Sequence, residues 1–138
     1  MINFLSETSF VLDSKTSHKK WLRLIIYKEN LKEGDISILF CDDRKLNQIN
    51  KEFLNHDTYT DVIAFPGNIG DVIHGDICIS TERVRENAQK FNTDFSNELA
   101  RVMAHGLLHL CGYKDSTPNE KAQMSLLEEH YLSKRFLP

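Results

Sequence analysis

The sequence predicts an α+β (mixed α/β) fold, with a small, mostly parallel sheet of about four strands, one of them antiparallel, and about five helices packed on it. Short Ile/Val/Phe-rich stretches alternate with longer amphipathic ones, the pattern of a sheet covered by helices. The stretch Asp35-Ile-Ser-Ile-Leu-Phe-Cys41 carries bulky residues on both faces, as a strand central in its sheet does. The link between the apolar stretches Asp61–Phe65 and Gly75–Ile79 is too short for a parallel crossover, so those two pair antiparallel.

Taken in order, Ile2 and Phe4 alternate with polar neighbours and read as a short first strand. From Ser14 to Leu31 the apolar residues Trp21, Leu22, Leu24, Ile25 and Leu31 suit an amphipathic helix, which Gly34 is expected to end. After the strand to Cys41, Asp42 and Asp43 can each cap a helix running to about Leu54, because a short carboxylate accepts the orphan N–H groups of the first turn. Asp61–Phe65 is a strand stopped by Pro66-Gly67, and Gly75–Ile79 is its partner. Ser80 or Thr81 caps a charged helix to about Phe91. The next helix, from near Thr93 to Leu110, is apolar nearly all round and should be buried. Thr117-Pro118-Asn119-Glu120 is a capping box with proline at the first helical position, opening a last helix to about Ser133.

The 138 residues are expected to form one domain, 1–138, with 41% apolar and 27% charged residues, ordinary for a globular chain. No apolar run approaches the roughly 20 residues of a membrane helix. The first residues lack the basic start, apolar middle and cleavage site of a signal peptide, so a cytoplasmic location is expected. The three cysteines, Cys41, Cys78 and Cys111, sit among apolar neighbours and read as buried free thiols. A net charge of −3 gives polyanions no average attraction, so a nucleic-acid partner requires a local basic patch.

The chemistry is carried by His105-Gly-Leu-Leu-His109-Leu-Cys-Gly112-Tyr-Lys-Asp115. Two histidines four apart on a helix project from one face, close enough to share a metal ion. Gly112 supplies the left-handed residue that ends the helix, and the returning chain can bring the carboxylate of Asp115 to the same ion. Two imidazoles and a carboxylate, with a position left for water, make a catalytic zinc site. The pattern also resembles the metzincin protease frame. There, however, a general-base glutamate follows the first histidine, and here that residue is Gly106, which counts against peptide hydrolysis.

A closer resemblance is to the YbeY family of rRNA-processing endoribonucleases, whose signature is similar to H-G-x-L-H-L-x-G-Y-D-H and includes the glycine after the first histidine. Further matches lie upstream at Leu46-Asn47, at Asp57-Thr-Tyr-Thr60-Asp61-Val-Ile-Ala-Phe65-Pro66 and at Gly75-Asp76-Ile77-Cys-Ile79-Ser80, so the likeness spans about residues 35–130. It implies a single-strand-specific, metal-dependent endoribonuclease that matures the 3′ end of 16S rRNA and serves ribosome quality control, in contact with the ribosome or its assembly factors. The family's third histidine is here Asp115. An oxygen ligand keeps zinc feasible and shifts preference toward Mn or Fe. The family's Tyr-Arg at the end of the upstream helix, whose arginine is thought to serve activity, is here Phe53-Leu54; Lys51 and His56 are the nearby candidates to supply the charge.

Thr60 either bonds local backbone or lines the substrate groove, and Asp76 either opens its strand or accepts from a ligand imidazole. Cys111 reads as a buried thiol, His74 as a surface residue, and His18 and His130 as solvated. Arg83, Arg85 and Lys90, mixed with Glu82 and Glu86, read as a solvated helix face. No residue stands out as the general base. Two other functions fit the same metal motif: a small metallopeptidase, and a non-enzymatic ribosome assembly factor with a structural metal.

Overall fold

The computed structural model describes residues 1–54 and 60–135. The elements run β1 (Ile2–Ser6), α1 (Lys15–Lys28), β2 (Lys32–Cys41), α2 (Asp43–Leu54), β3 (Val62–Pro66), β4 (Val72–Ser80), α3 (Thr81–Lys90), α4 (Phe95–Leu110) and α5 (Pro118–Leu132). One four-stranded sheet has the order β1-β2-β4-β3. β1 and β4 run parallel to β2, and β3 runs antiparallel to β4, as the short loop between them requires.

Strand alternation sorts the side chains onto two faces. Ile36, Ile38 and Phe40 of β2 and Ile73, Ile77 and Ile79 of β4 join the main core with Trp21, Leu22, Ile25 and Ile26 of α1 and Leu99, Val102, Met103, Leu107, Leu108 and Leu110 of α4. Cys41, Cys78 and Ile63 point to the other face, where they cluster with Leu46 of α2. Helix α4 is therefore the buried helix, and it packs on β3, β4, α1, α3 and α5. It can lie flat on the sheet because Gly106 has no side chain: a Cβ there would stand 2.6 Å from Ile77 Cγ2.

The caps form as the residue types dictate. Asp42 Oδ1 accepts from Lys45 N at the start of α2, Ser80 from Arg83 N, Asp94 from Asn97 N, and Thr117 and Glu120 close the capping box. Two details depart from expectation. Gly34 does not end the first helical segment but lies inside β2, buried at an irregularity where the register with β4 shifts. His18 is half-buried, edge-on to Phe4, and burial with the nearby Arg135 charge lowers its pKa.

Candidate metal centre

His105 and His109 lie on the last turns of α4, and Asp115 lies in the loop to α5. Gly112 takes φ +108, turning the chain back just past the helix end, a conformation that L side chains resist. The loop is tied down from both sides. His109 Nδ1–H donates to the carbonyl of Tyr113 at 2.9 Å, and the Tyr113 hydroxyl donates to Glu29 Oε1 at 2.6 Å. Glu29 also accepts from the Tyr131 hydroxyl, which joins the ends of α1 and α5 to the same loop. Asn68 Nδ2 donates to the carbonyl of Leu110 at 2.7 Å, satisfying an orphan carbonyl at the end of α4.

These ties aim three acceptor atoms at one point. His105 Nε2 lies 3.0 Å from His109 Nε2, and Asp115 Oδ2 lies 3.2 Å from the first and 3.5 Å from the second. His105 Nδ1 is 2.7 Å from Glu128 Oε2 and donates its proton there, so in the neutral ring Nε2 keeps a lone pair. His109 has the same tautomer, set by Tyr113. Two imidazole lone pairs and a carboxylate this close repel unless a cation lies among them. Tetrahedral zinc with bonds of about 2.0–2.2 Å separates its ligands by about 3.3–3.6 Å, close to the spacing found. The three residues form the only group of at least three His, Cys, Asp or Glu among the described residues that can hold a metal ion. Asp115 is 39% exposed, so the group opens to solvent on one side.

Without a metal, a proton is the alternative cation. Burial lowers the pKa of His105, but the hydrogen bond and charge of Glu128, with Asp115 and Asp61, outweigh burial and raise it overall. Asp61 is pushed up by its own burial, against the pull of His105. Behind the imidazoles, Arg101 pairs with Glu98, Glu128 and Glu129, which holds the Glu128 carboxylate in place.

The other residues singled out from sequence are dispersed. Thr60 lines a groove beside His109, and its hydroxyl donates to the carbonyl of Val62 at 3.4 Å. Lys51 is exposed in the last turn of α2, and Leu54 lines the groove. His56 lies outside the described residues. Asp76 is not beside the imidazoles. It is exposed on the opposite face of the sheet, in a groove with Ser37, Leu39 and Cys78, because position 76 alternates away from Ile77, which meets α4.

Glu128 is the carboxylate that meets His105, and sequence reasoning missed it. Its signal was nonetheless present: Met124, Glu128 and Tyr131 are the buried positions of α5, so an acid interrupts an apolar stripe. His74 is half-buried and accepts from Asp35 N. Arg83 is bound to Asp43 and Glu86. Cys41 and Cys78 are buried free thiols, and Cys111 is a half-buried one.

The family model described as Endoribonuclease YbeY matches residues 3–135. The chain is 51% identical over 132 residues to a protein of Christiangramia forsetii named Endoribonuclease YbeY, a match covering 96% of this chain and 92% of that one. It is 50% identical to a protein of the same name from Flavobacterium psychrophilum, covering 96% and 94%. The solution structure of a Thermotoga maritima protein superposes with TM-score 0.68 at 31% identity, over 99% of this chain and 89% of that one. A cluster of two imidazoles and a carboxylate, carried on a matching fold and a family match over nearly the whole length, leads to one assignment: the chain belongs to the YbeY family of endoribonucleases.

Proposed function

We propose that this protein is a metal-dependent endoribonuclease, a single domain over residues 1–138, that cuts single-stranded rRNA in the cytoplasm during maturation of the 16S 3′ end and ribosome quality control. The observation that carries the metal reading is the convergence of His105 Nε2, His109 Nε2 and Asp115 Oδ2 at 3.0–3.5 Å with both Nδ1 atoms already engaged. Zinc fits this donor set best, and the oxygen of Asp115 also suits Mn or Fe. When bound, the metal supplies a Lewis acid that polarises a phosphate oxygen and neutralises charge developing on it. RNA as substrate is supported by the relatives' names, and the ribosome and its assembly factors are the partners this role requires.

The chain's own residues then have distinct tasks. His105, His109 and Asp115 hold the ion. Glu128 and the Tyr113 carbonyl hold the two imidazole tautomers, so that neither ring rotates its lone pair away. The groove beside His109 receives the strand, and Lys114 at its rim offers a cation to a phosphate. The open side of Asp115 favours a catalytic site over a closed structural one. The packing of Gly106 on Ile77 and Val62 counts against a peptidase, since a glutamate there has no room beneath the helix.

The test is elemental analysis coupled to cleavage of a single-stranded RNA with and without chelator. Replacing His105 and His109 with Ala should remove the metal and the cleavage together, and Asp115→His should preserve both. Full metal occupancy in the double variant would refute the ligand assignment. The product ends report the nucleophile: a cyclic phosphate requires the 2′-OH, and a 5′-phosphate requires water.

A further inference from the structure

Among the described residues, strand β3 is an edge of the sheet, paired on one side only. Its ladder bonds alternate: the Asp61 carbonyl accepts from Ser80 N, and Gly67 N donates to the His74 carbonyl. Odd-numbered residues therefore turn their backbone groups toward β4, and Val62, Ala64 and Pro66 turn theirs outward. Along that outer edge the carbonyl of Val62 is met by the Thr60 hydroxyl, and Pro66 has no N–H. Ala64 alone presents both a donor and an acceptor, and neither has a protein partner among the described residues. The edge borders a groove of about 530 Å³ lined by Leu54, Thr60, Ala64, His109, Tyr113 and Lys114. His109 belongs both to this groove and to the metal cluster, so the groove is continuous with the reacting position.

We propose that the outer edge of Ala64 is a nucleobase subsite, holding one unpaired base of the RNA by its Watson–Crick edge next to the metal cluster. This rests on the RNA-cleaving reading above. Every nucleobase carries a donor and an acceptor side by side on that edge, which matches the N–H and C=O of one outward residue. In a duplex the complementary base already occupies the edge, so the subsite admits single strands only. Apolar Leu54 suits the face of a base, and Lys114 at the rim suits the phosphate joined to it. An extended peptide also adds to open strand edges, but it needs a run of free groups. This edge is interrupted on both sides of Ala64, by the Thr60 hydroxyl and by the missing N–H of Pro66, which favours a compact two-point ligand.

The experiment uses zinc-loaded wild-type protein and a 2′-O-methyl oligouridylate octamer, whose N3–H donates and whose O4 accepts. Binding should protect the Ala64 amide from hydrogen exchange. The N3-methyluridine version of the octamer should bind about tenfold more weakly, the cost of an unmade hydrogen bond. Ala64→Pro removes only the outward N–H, leaving the β4 ladder intact. It should weaken binding of the unmodified octamer by a similar factor and shrink the discrimination. Equal binding of the two octamers, or an unprotected Ala64 amide in the bound state, would overturn the subsite. So would an extended alternating Ala/Thr peptide that protects Ala64 while the octamer does not. Cleavage of unmodified RNA by the same preparation separates the two ideas: cleavage without base discrimination sinks the subsite alone, and absence of both cleavage and binding sinks the parent reading too.

Discussion

Replacing Glu128 should weaken metal binding at the proposed centre without touching His105, His109 or Asp115. Its carboxylate is 2.7 Å from His105 Nδ1 and the residue is 7% exposed, so the bond is charge-assisted and shielded from water. In Glu128→Ala the imidazole loses the acceptor that fixes its tautomer, and the Nδ1–H is left without its buried partner. Loss of such an outer partner typically costs 10–100-fold in metal affinity, about 1.4–2.7 kcal/mol, in line with about 1.5–3 kcal/mol for a hydrogen bond to a charged group. Arg101 keeps Glu98 and Glu129, so the rest of the network survives. Glu128→Gln keeps a neutral acceptor and should fall between wild type and Ala. The assay is zinc competition against a chromophoric chelator at pH 7.5, with melting of the metal-free proteins run beside it to separate folding from binding. An affinity for Glu128→Ala within about threefold of wild type, with unchanged apo stability, would refute the claim that this carboxylate orients His105.

Two further perturbations test the scaffold. In Gly106→Ala the new Cβ would lie 2.6 Å from Ile77 Cγ2 and 3.3 Å from Val62 Cγ2, forcing α4 off the sheet. Overpacking of this kind costs about 1–3 kcal/mol, a fall in Tm of about 4–12 °C by calorimetry, and an unchanged Tm would contradict the close approach. Glu98 is 3% exposed, and burial holds its carboxyl above the ordinary value of 4.5 despite the opposing pull of Arg101. A carboxyl raised in the folded state loses stability as pH rises from its unfolded value through its folded one. Glu98→Gln should therefore be more stable than wild type at pH 8, with the gain closing toward pH 4. An equal Tm difference at both pH values would show that ionisation of Glu98 is not the cause.

Much of the site was legible because its parts are local. Helical spacing put His105 and His109 on one face, the glycine after the helix turned the chain, and Asp115 followed within a few residues. The same locality explains why the capping residues Ser80 and Thr117 and the antiparallel β3–β4 pair were readable. Asp76 was misplaced for the converse reason. Its sequence neighbourhood does not say which face of the sheet it takes, and one position of alternation decides that. Glu128 was overlooked because it lies 23 residues beyond His105; only the packing of α5 against α4 brings the two together.

Composition and spacing by themselves determined that this chain folds as helices on a small mixed sheet and places two histidines and an aspartate, at a spacing that could hold a metal, at the end of its most apolar helix. Those features depend on periodicity and turn chemistry, which act over a few residues. Tertiary structure decided which carboxylate steadies His105, how Glu29 ties α1 and α5 to the loop before Asp115 through Tyr113 and Tyr131, and which edge of β3 is left unpaired among the described residues beside His109. Each of these is a contact between segments far apart in sequence, and such contacts exist only once the sheet order and the packing of α4 are set.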